Sequence, residues 1–321
     1  MQFKNNKNLV IFFTLLILIV FSPLLTKAQT IIVPDKFVVS LTTTQDQIIQ
    51  SLLDQNFIKD KDAFVAIFSK KKGDILPGAY KLTLNMTLTQ VSKILHGKPY
   101  MKWVVIPPGL RKEEIADLLV TNLGWTKLQK TKWINVYTKT KADYVEGVYF
   151  PNTYLIPVVE TPQNVAKRLI SKFNENFTPY LLQFKQEDML WTKGLTLASL
   201  VQREAADTAD MPLIAGILEN RLNQGIMLGV DATLQYIRGN KGKGWWAPIV
   251  VADKKIVSPY NTYKNLGLPP HPICNPGIDA IAAAANPAKT DCLYYLHDKE
   301  GNTHCSVTYA EHLANIEKYL K

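Results

Sequence analysis

Cysteine is scarce in this chain: 321 residues carry three, Cys274, Cys292 and Cys305, all in the C-terminal fifth. No C-x-x-C pair occurs, so neither a zinc site of the usual spacing nor a dithiol redox motif is supported. The five histidines form no H-E-x-x-H pattern, and no metal or other cofactor is expected. In an exported chain one pair of cysteines can oxidise, leaving the third as a free thiol. Internal repeats, low-complexity tracts and nucleic-acid-binding motifs are also lacking. That last absence matters because the formal charge is +10. A basic balance suits a polyanionic neighbour such as nucleic acid, anionic lipid or cell-wall polymer. The lysines are scattered, with clusters at Lys70–Lys72 and at Lys241 and Lys243. Without a motif they read as a solvated surface, and no nucleic-acid partner is expected.

What is present is enough for two ordinary domains with real cores: 47% of residues are hydrophobic and 20% charged. The first segment, 1–30, holds an apolar run from Leu9 through Ser22-Pro23 to Leu25, with Lys4 and Lys7 before it and Lys27-Ala28-Gln29 after it. At about 17 residues it lies between an export signal and a short membrane anchor. Either way the preceding lysines place the bulk of the chain outside the cytoplasm. No second spanning segment appears.

Ile31-Ile32-Val33 and Phe37-Val38-Val39 read as strand. Helices are expected from Gln45 through Leu53, after Asp60, from Thr87 to Gly97 and from Glu113 to Val120. Gly78–Leu84 and Trp103–Ile106 read as strands. This alternation makes 31–120 a small α+β region. Residues 121–194 read as a connector with helices and loops, including an aromatic turn at Glu146–Tyr154. A C-terminal unit, 195–321, contains a helix around Glu204 and a second from Met211 to Gln224, capped by Asp210. Loops follow from 239 to 277. Ile278–Ala285 is then helix, Cys292–His297 strand, and Thr308–Lys321 a final helix.

One carboxylate stands out. In Leu197-Ala-Ser-Leu-Val-Gln-Arg-Glu204, Leu197, Val201 and Glu204 fall at i, i+4 and i+7, on the stripe that should face the core. A carboxyl there pays desolvation, its neutral form is favoured, and it is a natural general acid. The competing reading is a Glu at a helix end that escapes to solvent or pairs with Arg203. Downstream lie Asn220-Arg221-Leu222, Asp231-Ala-Thr-Leu-Gln235 and Ser258-Pro-Tyr-Asn-Thr-Tyr263. Gly267-Leu-Pro-Pro-His-Pro-Ile273, Asn275-Pro-Gly277 and Asn286-Pro-Ala-Lys289 complete the set. Stiff loops rich in proline and asparagine can hold hydroxyls, amides and rings in a fixed groove, which suits a polyhydroxylated substrate such as sugar. Each piece alone also reads as ordinary turn chemistry.

In this order the segments resemble the YceG-like (MltG) family of endolytic murein transglycosylases, over nearly the whole chain. Ala198–Glu204 matches the family's A-S-[IL]-[IV]-E-x-E stretch, with Glu204 on the catalytic glutamate. Asn220–Leu222, Asp231, Thr233, Tyr260–Tyr263, Gly267–Pro270 and Asn286–Lys289 also match. Upstream, Pro77–Tyr80, Glu146-Gly147 and Phe150-Pro151 fit the N-terminal half, which resembles a LysM-like peptidoglycan-binding module. The resemblance thus implies an α+β fold: a LysM-like module at 31–120, then a mixed α/β catalytic domain at 195–321. Gln202 stands where the family has a first Glu, Asn152 where it has Asp, and His271 where it has Gly. Around His304 the customary pattern is shifted or replaced.

The resemblance implies an exported, membrane-associated lyase that cuts glycan strands between N-acetylmuramic acid and N-acetylglucosamine, leaving 1,6-anhydromuramoyl ends. Glu204 is the expected general acid and base. Asn220, Asp231, Gln235, Tyr260, Asn261 and Thr262 are the substrate-binding candidates; Asp231 also reads as a loop-capping residue. Glycan strands and the membrane are the expected partners, with peptidoglycan synthases as candidates. A non-catalytic wall-binding scaffold, a muramidase hydrolase and a polyanion-binding surface protein are the alternatives. Retention of Glu204 argues against the scaffold, lack of an evident second carboxylate against the hydrolase, and only net charge supports the last.

Overall fold

A computed structural model of the chain describes residues 35–70 and 73–321. The apolar run 9–25 and the strand expected at 31–33 lie outside the described residues. Among those described, no helix is long and apolar enough to cross a membrane.

The first half runs β1 (Asp35–Val39), α1 (Gln45–Asp54), α2 (Lys61–Phe68), β2 (Gly78–Leu82), α3 (Leu88–Leu95), β3 (Met101–Ile106), α4 (Lys112–Leu123) and α5 (Lys127–Lys132). A turn of π-helix at Trp133–Tyr137 precedes β4 (Asn152–Pro157), α6 (Pro162–Phe177) and α7 (Leu181–Gln186). The second half contains α8 (Trp191–Glu204), α9 (Met211–Asn223), α10 (Asp231–Arg238), α11 (Ile278–Ala285), β5 (Tyr294–His297), β6 (Thr303–Ser306) and α12 (Tyr309–Leu320). The fold is α+β.

Local chemistry sets the boundaries. Thr44, Thr87, Thr126 and Thr308 each accept a backbone N–H at their helix N-terminus, and a Gln or Glu three residues on returns a bond. Asp60 caps α2, and Thr161 with Pro162 opens α6.

β1 to β4 form one antiparallel sheet in chain order. β1 pairs with β2 from Asp35↔Leu82 to Val39↔Gly78, and β3 with β4 from Met101↔Pro157 to Ile106↔Asn152. The two pairs join at Ala79↔Met101 alone. That narrow join separates two cores. Phe37, Ile49, Leu52, Phe64, Tyr80, Leu82, Val91 and Leu95 fill the first, a βααβ unit covered by α3. The second begins at Val104 and extends to Ala285. Residues read from sequence as a connector contribute Trp133, Tyr149, Tyr154, Leu169 and Phe173 to it.

α8 is the axis of the second core. Every residue from Gly194 to Val201 is buried, since α9, α10, α11 and α7 pack around it. Gly216 on α9 lies against the Ala288 carbonyl, where a Cβ would collide, so the Asn286–Lys289 segment fits closely on that helix. Gly147 adopts φ +87° with Pro272 within 2.7 Å of where a Cβ would sit. Only glycine fits that approach. The β5–β6 hairpin carries the Cys292–Cys305 disulfide, while Cys274 is a buried free thiol. α12 lies on the hairpin through Tyr294–His312 and His304–Tyr319 ring stacking, and has no fully buried residue.

Candidate active site

Glu204 is the last residue of α8, at the point where the stripe of Leu197 and Val201 leaves the core. There it opens into a cavity of about 320 Å³, lined also by Arg221, Gly229, Asp231, Tyr263, Tyr294, Tyr295 and His312. Tyr295 donates a 2.5 Å hydrogen bond to Glu204 Oε2. Burial pushes the Glu204 carboxyl above the usual range, and the Asp231 charge adds to that. The bonds from Tyr295 and the Ala232 N–H, and the nearby His297, work the other way. The negative end of the α8 dipole also disfavours the anion. Arg203 is not its partner; that guanidinium stacks over the Trp246 ring at 3.9 Å.

The hairpin is tied down beside Glu204. Asp210 accepts hydrogen bonds from Thr303 Oγ1 (2.8 Å) and from the Ala206 N–H, and pairs with His297 Nε2 at 2.8 Å. Asp210 is the N-cap residue of α9, as the sequence predicts, but its side chain gives that helix no cap bond and faces the hairpin. Burial raises its pKa, but these bonds outweigh it and hold the carboxyl below its usual value. Arg221, from α9, donates to Leu293 O (3.3 Å) and Met227 O (2.7 Å) and stacks over Tyr294.

Of the substrate-binding candidates, Asp231 lines this cavity. It is the first residue of α10 and accepts the Tyr263 hydroxyl. A second carboxylate therefore shares the space with Glu204, more than a loop-capping role requires. The other candidates build the frame. Asn220 donates to Thr290 O (2.6 Å) and Cys292 O (3.2 Å), holding the entry to β5. Gln235 donates to Trp246 O and Ala247 O. Tyr260 packs on Tyr236 with ring centroids 5.0 Å apart. Asn261, fully buried, donates to Lys254 O and Ile256 O and accepts the Tyr263 N–H. Thr262 Oγ1 accepts the Val230 N–H at 2.9 Å and meets Thr233 Oγ1 at 3.0 Å. These bonds deliver Gly229, Asp231 and Tyr263 to the cavity.

Tyr295, Tyr294 and His312 are not singled out by the sequence, and Tyr263 enters there only as the end of the Tyr260–Tyr263 match. A signal existed for Tyr295: the strand Cys292–His297 was legible, and its alternation puts Tyr295 and His297 on one face. Gln202, the departure from the family's first Glu, accepts the Gly277 N–H at 2.9 Å and does not line the cavity. His304 pairs with Asp298 at 2.8 Å and stacks on Tyr319, on the α12 face of the hairpin, opposite the face that carries Tyr295 and His297. Among the described residues no cluster of His, Cys, Asp and Glu could hold a metal ion.

Residues 37–318 match the YceG-like family. The chain belongs to that family. It is 35% identical over 285 residues to a protein named endolytic murein transglycosylase of Streptococcus pneumoniae serotype 2 (strain D39 / NCTC 7466), covering 78% of this chain and 52% of that protein. A Bacillus subtilis (strain 168) protein of the same name is 31% identical over 297 residues, covering 85% of this chain and 81% of its own. The chain thus spans about half the length of its pneumococcal relative. The crystal structure of a putative yceG-like protein from Listeria monocytogenes superposes with a TM-score of 0.63 at 27% identity, covering 87% of this chain and 98% of that one. The YceG-like chain therefore shares its fold with a solved relative over nearly all of that relative's length.

Proposed function

We propose that this chain is an endolytic peptidoglycan transglycosylase with Glu204 as its single general acid and base. The observation that carries the reading is a carboxyl with a raised pKa in a tyrosine-lined cavity, held by the Tyr295 hydroxyl. The names of the relatives support it. Tyrosine faces suit sugar rings, and their hydroxyls suit sugar oxygens.

In the first half-reaction, protonated Glu204 gives its proton to the glycosidic oxygen as the bond from muramic acid C1 breaks. The 2-acetamido group of that ring can stabilise the developing charge. In the second, the C6 hydroxyl of the same ring bonds to C1 and its proton returns to Glu204. No water is consumed. The C6 hydroxyl is tethered to the reacting ring, which raises its effective concentration far above that of a free competitor. The βααβ unit with its own core is the proposed wall-binding module, LysM-like in role, holding a strand away from its end and favouring internal cuts. Residues 9–25 are the proposed anchor.

Asp231 favours one second reading, a muramidase in which two carboxylates flank the bond and water attacks. Its hydrogen bond from Tyr263 instead supports a positioning and electrostatic role. Digestion of purified glycan strands separates the two: anhydromuramoyl ends support the lyase, reducible muramic acid ends the hydrolase.

A further inference from the structure

A second cavity, of about 600 Å³, lies between the start of α8, the end of α9 and the Gly267–Pro270 loop. That loop is a sequence motif for which the Glu204 site has no use. The two cavities meet across the last turn of α9: Arg221 lines the first, Leu222 and Asn223 the second. On α8, Lys193 in the second cavity precedes Glu204 by eleven residues. At 1.5 Å and 100° per residue the two lie roughly 16 Å apart along the axis and within about 20° of one azimuth. One side of one helix therefore opens into both.

The linings differ in kind. The catalytic cavity has three tyrosines; the second has no aromatic ring. Its lining combines Leu222, Leu268 and Pro270 with the acids Glu187 and Asp188 and the base Lys193. Those three charged side chains make no hydrogen bond or ion pair among the described residues. Acid, base and apolar wall suit a short zwitterionic peptide better than a sugar ring. Peptidoglycan carries such a group beside the cleaved bond. Each muramoyl ring bears a stem peptide with a diamino-acid amine and a terminal carboxylate. Extended at about 3.3–3.6 Å per residue, five residues reach about 17 Å, which matches the spacing.

We propose that this cavity is a stem-peptide subsite: Glu187 and Asp188 face the diamino-acid amine, Lys193 the carboxylate, and the Gly267–Pro270 loop the apolar side chains. The assignment rests on the transglycosylase reading and adds a specificity that the reading alone does not require. It is tested by cleaving strands that bear stem peptides and the same strands stripped by an amidase. The full-length protein is expected to have a kcat/KM at least tenfold higher on the peptide-bearing strands. Glu187→Lys and Lys193→Glu should each reduce that ratio about tenfold through KM. An equal rate on both substrates, or a ratio unmoved in both variants, overturns the subsite and leaves the transglycosylase reading intact. Titration calorimetry of the free pentapeptide into the Glu204→Gln protein decides the subsite even if neither strand is cleaved. Saturable binding weakened about tenfold by adding Glu187→Lys supports it; no saturable binding at millimolar peptide overturns it.

Discussion

At the residue scale the proposed chemistry turns on one proton. Glu204→Gln preserves size and most packing but cannot give a proton to a leaving oxygen. Lytic activity should fall at least about a hundredfold while the thermal transition stays near that of the parent protein. A folded Glu204→Gln protein with full activity would remove Glu204 from its role. The neighbours tune it in opposite directions. The acid form is present below the raised pKa and is lost as pH rises through it. Tyr295 stabilises the carboxylate, so Tyr295→Phe should raise the pKa further, moving the descending limb of the pH–rate profile to higher pH. Asp231 destabilises the carboxylate, so Asp231→Asn should move that limb to lower pH. Profiles of the two variants that coincide with the parent would show that neither group acts on the catalytic proton.

At the scale of elements, the site depends on how the hairpin and loops are held. The Cys292–Cys305 bridge closes a loop of sequence separation 13 around β5, which carries Tyr295. Breaking it with Cys292→Ser should cost about 2–4 kcal/mol and lower activity, read as a fall in melting temperature that reductant reproduces in the parent. Glu146 plays a similar part deeper in. It is fully buried and accepts the Lys112 N–H at 3.1 Å and Asn275 Nδ2 at 2.7 Å, joining α4, the 146–150 turn and the 275 loop. Burial pushes its carboxyl up to about 8. In the unfolded chain it ionises near 4.5. Between those values the unfolded state binds fewer protons, so stability falls as pH rises, by at most about 1.4 kcal/mol per pH unit. Denaturation from pH 5 to pH 8 should show that slope, and Glu146→Gln should flatten it. An unchanged slope would mean Glu146 is ionised in the fold.

Elements built on local signals were legible in the sequence. Thr44, Asp60, Thr87 and Thr308 marked helix starts, and β-branched runs marked β1 and β3. In the sequence β4 reads only as an aromatic turn, because its alternation is short and begins at Asn152. The helix α10 was hidden in a run read as loop motif, since Val230 offers no cap side chain. The site divided the same way. Glu204 was visible because a carboxylate interrupts an apolar stripe. Tyr295 was not, because nothing local says which face of a short strand meets a helix end 91 residues away. Asn261 and Thr262 carry polar side chains that read as ligands; Asn261 instead satisfies carbonyls of its own loop, and Thr262 the Val230 N–H 32 residues away. Such long-range hydrogen bonds leave no periodicity to read.

At the scale of the whole molecule, two cores divide the proposed work between holding a strand and cutting it. The proposed anchor makes its own prediction: the membrane-fraction protein should have an intact mass that retains Leu9–Leu25, whereas a soluble exported form starting at Gln29 would mark that segment as a cleaved signal. The cavity holds two carboxylates, Glu204 and Asp231, and the reaction type decides whether one or both are catalytic. The direct measurement is digestion of purified glycan strands in water enriched in oxygen-18, followed by mass analysis of the muramic acid ends. Expected are internal cuts that leave 1,6-anhydromuramoyl ends, resistant to borohydride and free of label. Reducible muramic acid ends carrying the heavy oxygen would contradict it.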